Sequence, residues 1–340
     1  MSNNKNNNKM GCIQSLRAIA AIGVIITHIY PVIKTTYDID SYIFNMITTG
    51  FVDTGKIGVA LFFVMCGYFL YNIKNKTKRK FIIDRIIRLY PEYWFSILCA
   101  VIFLGGYSIK QILINCTMLQ IFFGEENILG LYWTLPIELT IYLGVFIVWN
   151  KMNSILFLKI LFWAINFINI ILSIIRFATK KAVPVAFGLL ISLAMLGFFF
   201  RLYVEEELER KTIIVLFIIW ISILLIISIF AYGFSINYQE TWYRYFLSYF
   251  FAILLFIVFY YKKITNVYLE KIGDMSYSIY LMHPIAYLTA ISIAKDNNWI
   301  VGTIMSFLFI CVFSSIGYLL FEIKISSFIK EKINQICNKY

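Results

Sequence analysis

Charge is in short supply in this 340-residue chain: Asp, Glu, Lys and Arg together make up 14% of it, where an average globular domain carries about 25%. That is too little to cover the surface of a water-soluble protein of this length. Histidine is rarer still, with only His28 and His283. The six cysteines, Cys12, Cys66, Cys99, Cys116, Cys311 and Cys337, form no C-x-x-C pair and have no histidine cluster beside them. Neither a disulfide framework nor a metal site follows from them. Zinc-finger spacing and other nucleic-acid modules are also missing, so the net charge of +12 does not argue for nucleic acid as a partner. A signal-peptide cleavage site is missing too. Ala18, Ala20 and Ala21 stand at the start of the first apolar run rather than after it, so that run is expected to remain as an uncleaved helix.

What the chain has in abundance is apolar sequence, 61% of its residues, arranged in long stretches rather than short alternating strands. In lipid every backbone polar group must be satisfied within its own segment, which long apolar helices do. The expected fold is all-α, a polytopic membrane bundle with spans near residues 13–33, 56–73, 89–107, 132–150, 155–175, 183–200, 212–231, 244–261, 275–294 and 300–321. Residues 109–123 are apolar but too short to cross, so they are expected to be re-entrant or interfacial. In domain terms, residues 1–12 form a disordered polar tail, 13–323 a single transmembrane domain and 324–340 a basic tail. Such short loops leave no room for a soluble catalytic domain.

Basic residues orient the bundle, because cytoplasmic loops are enriched in Lys and Arg. With the N-terminus inside, the outer segments hold Lys34, Lys56, Lys110, Arg176, Lys180, Lys181, Arg244 and Lys295, and the remaining 22 of the 30 basic residues fall inside. Both termini are therefore expected to be cytoplasmic. The positive charge is what insertion into a bilayer with anionic lipid requires.

His28 lies inside the apolar run Ile19 to Tyr30. An ionisable side chain at membrane depth is costly and marks a candidate functional site, and histidine is the usual proton-transfer group near neutral pH. Arg17 precedes it by eleven residues, close to three helical turns, so the two share a face roughly 16 Å apart along the axis. A cationic end and a deeper imidazole on one stripe suit a long anionic ligand. Arg17 could equally be a topological anchor, and His28 an interhelical hydrogen bond that only holds the bundle.

Five segments in order carry more information: LRAIAAIGVIITH (16–28), GVALFFVMCGYFL (58–70), DRIIRLYPEYW (84–94), YWTLPIELTIY (132–142) and IGDMSYSIYLMHP (272–284). Together they resemble the bacterial membrane acyltransferase type 3 family. The resemblance implies a multi-pass enzyme of the bacterial cell membrane that moves an acyl group, usually acetyl from acetyl-coenzyme A, to a hydroxyl of a surface glycan or related envelope molecule. Acyl-coenzyme A is then a donor substrate, with no permanently bound cofactor and no metal. His28 and Arg17 match the family's histidine and arginine pair, which makes His28 the candidate general base.

Glu138 is the expected partner of His28, since a carboxylate in the membrane needs one. A structural ion pair with an arginine is the alternative. Trp133 and Tyr142 flank it as acceptor-stacking groups or interfacial anchors. Arg85 and Arg88, one turn apart, offer guanidinium forks for the phosphates of coenzyme A, although a topology-setting basic loop would look the same. Ser276, Tyr277, Tyr280 and His283 form a polar stripe that would line the acceptor path or simply satisfy a bundle histidine. Cys66 stands where the commonest family form has serine, which argues against a catalytic hydroxyl there. Gly67 beside it is expected to admit a close helix contact. A transporter of a small solute, such as an amino acid, is the main alternative for a multispan chain with buried ionisable groups, though no repeat between the halves supports it.

Overall fold

The computed structural model describes residues 2–234 and 240–337, with side chains described over 10–332 apart from residue 75. Residues 1 and 338–340, which belong to the expected polar tails, lie outside the described residues. The described chain is helical, with no strand among the described residues. In order the helices are α1 (Ser2–Tyr37), α2 (Tyr42–Asn45), α3 (Thr54–Leu70), α4 (Lys78–Phe103), α5 (Ile109–Asn115), α6 (Leu135–Ile147) and α7 (Ile155–Thr179). They continue with α8 (Val185–Val204), α9 (Arg210–Tyr232), α10 (Trp242–Lys262), α11 (Val267–Asp274), α12 (Ser276–Ala294), α13 (Trp299–Gly317) and α14 (Ser326–Cys337). Among the described residues, ten helical segments are long and apolar enough to cross a membrane, as the hydropathy pattern predicts.

Three boundaries differ from expectation. α1 begins at Ser2 rather than near residue 13, so residues 2–12 continue the first helix. α4 begins at Lys78 rather than near residue 89, so the basic stretch is helical. Thr77 caps that start, its side chain accepting from the Lys80 amide, which offsets one of the orphan donors of a helix N-terminus. α13 runs without a loop into a π-helical turn, Tyr318–Ile325, and then into α14.

The chain forms two compact units. The first comprises Met1–Thr27, Ser41–Asn75 and Ile147–Gly273. Within it α3 packs on α8 and α10, and α7 on α8 and α9. The α3–α8 contact is closer than side chains would allow: a Cβ at Gly67 would lie 1.7 Å from the Ala194 carbonyl oxygen, and one at Gly197 would lie 2.0 Å from that of Val64. Small residues are what let membrane helices approach in this way. α7 has its polarity inverted relative to a soluble helix. Asn166, Asn169, Ser173 and Arg176 are buried, while Leu156, Ile160, Phe167, Ile171 and Ile174 are exposed. A helix between protein and acyl chains presents these two faces.

The second unit comprises His28–Asp40, Lys76–Phe146 and Asp274–Tyr340. α12 is its core helix, buried without a break from Ser276 to Tyr287 and packed on α13 and α4. The short segment after α4 is fastened to it. Tyr90, Tyr93 and Trp94 donate to the carbonyls of Thr117, Asn115 and Cys116 at 3.0, 2.9 and 2.8 Å. Asn115 then holds the returning chain, with Nδ2 donating to the Glu126 carbonyl at 2.9 Å and Oδ1 accepting from the Ile128 amide at 3.1 Å. Non-helical backbone among apolar helices needs such partners. α5, at seven residues, is too short to span.

Candidate active site

Most of the polar residues singled out by the sequence fall in the second unit. His28 sits on α1 three residues before Pro31, and His283 sits on α12 directly before Pro284. Neither proline has an amide hydrogen to donate to the helical ladder. The two imidazoles meet: His28 Nδ1 lies 3.0 Å from His283 Nε2, with the rings inclined by 23° and their centroids 5.3 Å apart. Ring atoms in face-to-face contact sit roughly 3.5–4.0 Å apart, so these rings touch edge to edge through nitrogen. His283 is fully enclosed, and its Nδ1 lies 2.9 Å from the Ile279 carbonyl oxygen, one turn back on α12. His28 is half-buried. The pairing of the chain's two histidines was not foreseen, although their scarcity and their neighbouring prolines were visible in the sequence.

The remaining tyrosines of α12 reach the helices around it. Tyr277 donates to the Leu89 carbonyl on α4 at 2.8 Å. Tyr280 donates to the Leu131 carbonyl at 2.6 Å and meets Thr134 Oγ1 at 2.5 Å. Its one hydrogen goes to the carbonyl, so Thr134 is the donor to Tyr280. Both contacts hold the 3-10 turn Gly130–Thr134 that leads into α6. That turn carries Trp133, which is half-buried, and α6 carries Glu138 and Tyr142.

Glu138 accepts from the Tyr142 hydroxyl one turn along α6, and it is His283 that pairs with His28 Nδ1. The Glu138 carboxylate is within electrostatic range of Tyr277 and Tyr280, so it contributes negative potential to the α12 stripe. Arg85 completes this cluster, its guanidinium carbon 4.8 Å from the Tyr142 ring centre and 5.3 Å from that of Phe81. Stacking holds the planar cation while leaving edge hydrogens to donate. Its Nε is enclosed without a hydrogen-bond partner. Arg88, one turn on, is within electrostatic range of Tyr277. Arg17 belongs to the first unit, where its Nη1 donates to Gln14 at 3.1 Å.

Glu92 was not singled out by its sequence context, yet it is 1% exposed and sits beside Ser278. It packs against Gly317, where a Cβ would stand 2.5 Å from Glu92 Oε1. Its neighbour Ser278 donates to Glu322 at 2.8 Å. Cys66 lies on α3 in the first unit, half-buried beside the Gly67 contact. Among the described residues no group of three or more His, Cys, Asp or Glu side chains is arranged to hold a metal ion.

The sequence model of the acyltransferase 3 family, described as an acyltransferase domain, matches residues 10–322. No curated protein and no solved structure matches the chain.

Proposed function

Because the chain belongs to the acyltransferase type 3 family, its domain covering residues 10–322, and is a multi-pass membrane protein, we propose that it transfers an acetyl group from acetyl-coenzyme A to a hydroxyl of an envelope glycan. Membrane acyl transfer follows from the family. Donor, acceptor and residue roles are our own reading. The observation that carries it is the half-buried His28 imidazole, whose Nδ1 lies 3.0 Å from His283 Nε2.

A sugar hydroxyl attacks a thioester slowly until its proton is removed. In the proposed reaction His28 takes the hydroxyl proton as the oxygen attacks the thioester carbonyl carbon. The carbon–sulfur bond then breaks, the departing thiolate recovers the proton from His28, and ester and free coenzyme A result. A positioned general base contributes typically 10²–10⁴-fold. Arg85 and Arg88 bind donor phosphates, and the Arg85 guanidinium lies over the Tyr142 ring at 4.8 Å; Arg17 is read as a donor-binding residue from the motif it shares with His28 alone. Trp133, Tyr142, Tyr277 and Tyr280 shape the acceptor side, and His283 stands behind His28. Donor entry is cytoplasmic and the acceptor lies across a bacterial cell membrane, so the pantetheine arm carries the acyl group into the bundle.

The test supplies acetyl-labelled coenzyme A to membranes containing the protein. Base-labile label in the envelope glycan fraction supports the proposal. Absence of transfer, with solute uptake by sealed vesicles in its place, would favour transport.

A further inference from the structure

The two histidines do more than touch, because the Ile279 carbonyl decides which nitrogen of each ring carries hydrogen. A carbonyl oxygen only accepts, so His283 Nδ1, 2.9 Å away, must be the donor. A neutral imidazole with hydrogen on Nδ1 has its lone pair on Nε2. That nitrogen faces His28 Nδ1 at 3.0 Å, so His28 Nδ1 is in turn the donor and its own lone pair lies on Nε2. An imidazolium at His283 would reverse the second bond, but it would place a charge on a ring with no exposed surface, which is costly without a paired anion.

We propose that His283 is a positioning residue that fixes His28 in the tautomer with hydrogen on Nδ1, so that Nε2 is the atom that accepts the substrate proton. The backbone of α12 thus selects the reactive nitrogen on α1 through two successive hydrogen bonds. In many histidine-centred sites a carboxylate plays this part; here a neutral ring anchored to a main-chain carbonyl does so. Pro284 follows His283 directly and cannot donate to the helical ladder, and α12 is buried all round His283, so the ring has few alternatives to this pose. The assignment rests on His28 being the base.

The chain has only two histidines, so selective ¹⁵N-histidine labelling of the full-length protein in detergent or lipid yields two ring systems, and His283→Phe leaves His28 alone. The wild type is expected to show Nδ1 protonated and Nε2 unprotonated for both rings. His283→Phe is expected to shift His28 toward the opposite tautomer and to lower kcat about 100-fold with the donor KM unchanged. His283→Gln, whose side-chain carbonyl can accept near the position of Nε2, should stay within about tenfold of wild type. A wild-type His28 carrying hydrogen on Nε2 would overturn the proposal, and this result does not depend on any variant folding. So would a folded His283→Phe protein with unchanged kcat. The expected tautomers together with full transfer by His28→Ala would instead overturn the base assignment, which keeps the two failures apart.

Discussion

The guanidinium carbon of Arg85 lies 4.8 Å from the centre of the Tyr142 ring, and the hydroxyl of that ring donates to Glu138. One aromatic side chain therefore separates a cation on α4 from an anion on α6 and contacts both. The Nε of that cation is enclosed and has no hydrogen-bond partner among the described residues.

In the proposed reaction Arg85 holds a donor phosphate. Arg85→Lys retains the charge but loses the planar fork and much of the stacking. The donor KM is expected to rise about tenfold, or about 1.4 kcal/mol, with kcat little changed. Lys80→Ala, on the exposed start of the same helix, should leave both constants alone. Steady-state kinetics over a range of acetyl-coenzyme A concentrations check this, and an unchanged KM in Arg85→Lys would remove Arg85 from the donor site.

Tyr142→Phe leaves Glu138 without its donor. A hydrogen bond to a charged group contributes about 1.5–3 kcal/mol, and the variant is expected to unfold in detergent at a correspondingly lower temperature. In a double-mutant cycle with Glu138→Gln the losses should be less than additive. Additive losses would mean that the two side chains act independently.

Tyr280 and Thr134 hold the turn that opens α6. Tyr280→Phe removes a donor to the Leu131 carbonyl as well as the acceptor of the Thr134 hydroxyl. It is expected to cost about 1–3 kcal/mol, and Thr134→Val less. Thermal unfolding of the two variants tests the order, and an equal or reversed order would contradict this geometry.

Gly67→Ala probes the α3–α8 contact. The added Cβ would meet the Ala194 carbonyl oxygen at 1.7 Å, so the helices must separate. Overpacking of this kind typically costs about 1–3 kcal/mol. Gly144→Ala, where nothing lies within 4 Å of the new atom, serves as the control and should show no loss. Equal melting temperatures for the two would show that the close approach does not matter to stability.

The ten spans were legible because length and apolarity are properties of a single segment and need no knowledge of its neighbours. Gly67 was legible only in part: a glycine in an apolar helix with no turn to make allows a close contact, as at Gly67, but does not require one, as Gly144 shows. His28 and Arg17 stood out through cost and motif. The partner of His28 did not, because His283 lies 255 residues away and nothing local encodes which two helices meet. Glu138 illustrates the opposite error. Its donor, Tyr142, stands four residues on along its own helix face, so the carboxylate is satisfied locally without a distant histidine. Glu92 passed unnoticed because its burial against Gly317 depends on how α4 and α13 pack. The helical start of α4 was masked by its lysines and arginines, which read as a loop when only hydropathy is followed.

Acyl transfer through His28 is tested most directly by purified wild-type protein and His28→Ala, each reconstituted in lipid and supplied with acetyl-labelled coenzyme A and a glycan acceptor. The variant should fold and insert like the wild type, bind donor with similar affinity, and transfer label at a rate lower by about 10²–10⁴-fold. Transfer at the wild-type rate by a correctly inserted His28→Ala protein would contradict it.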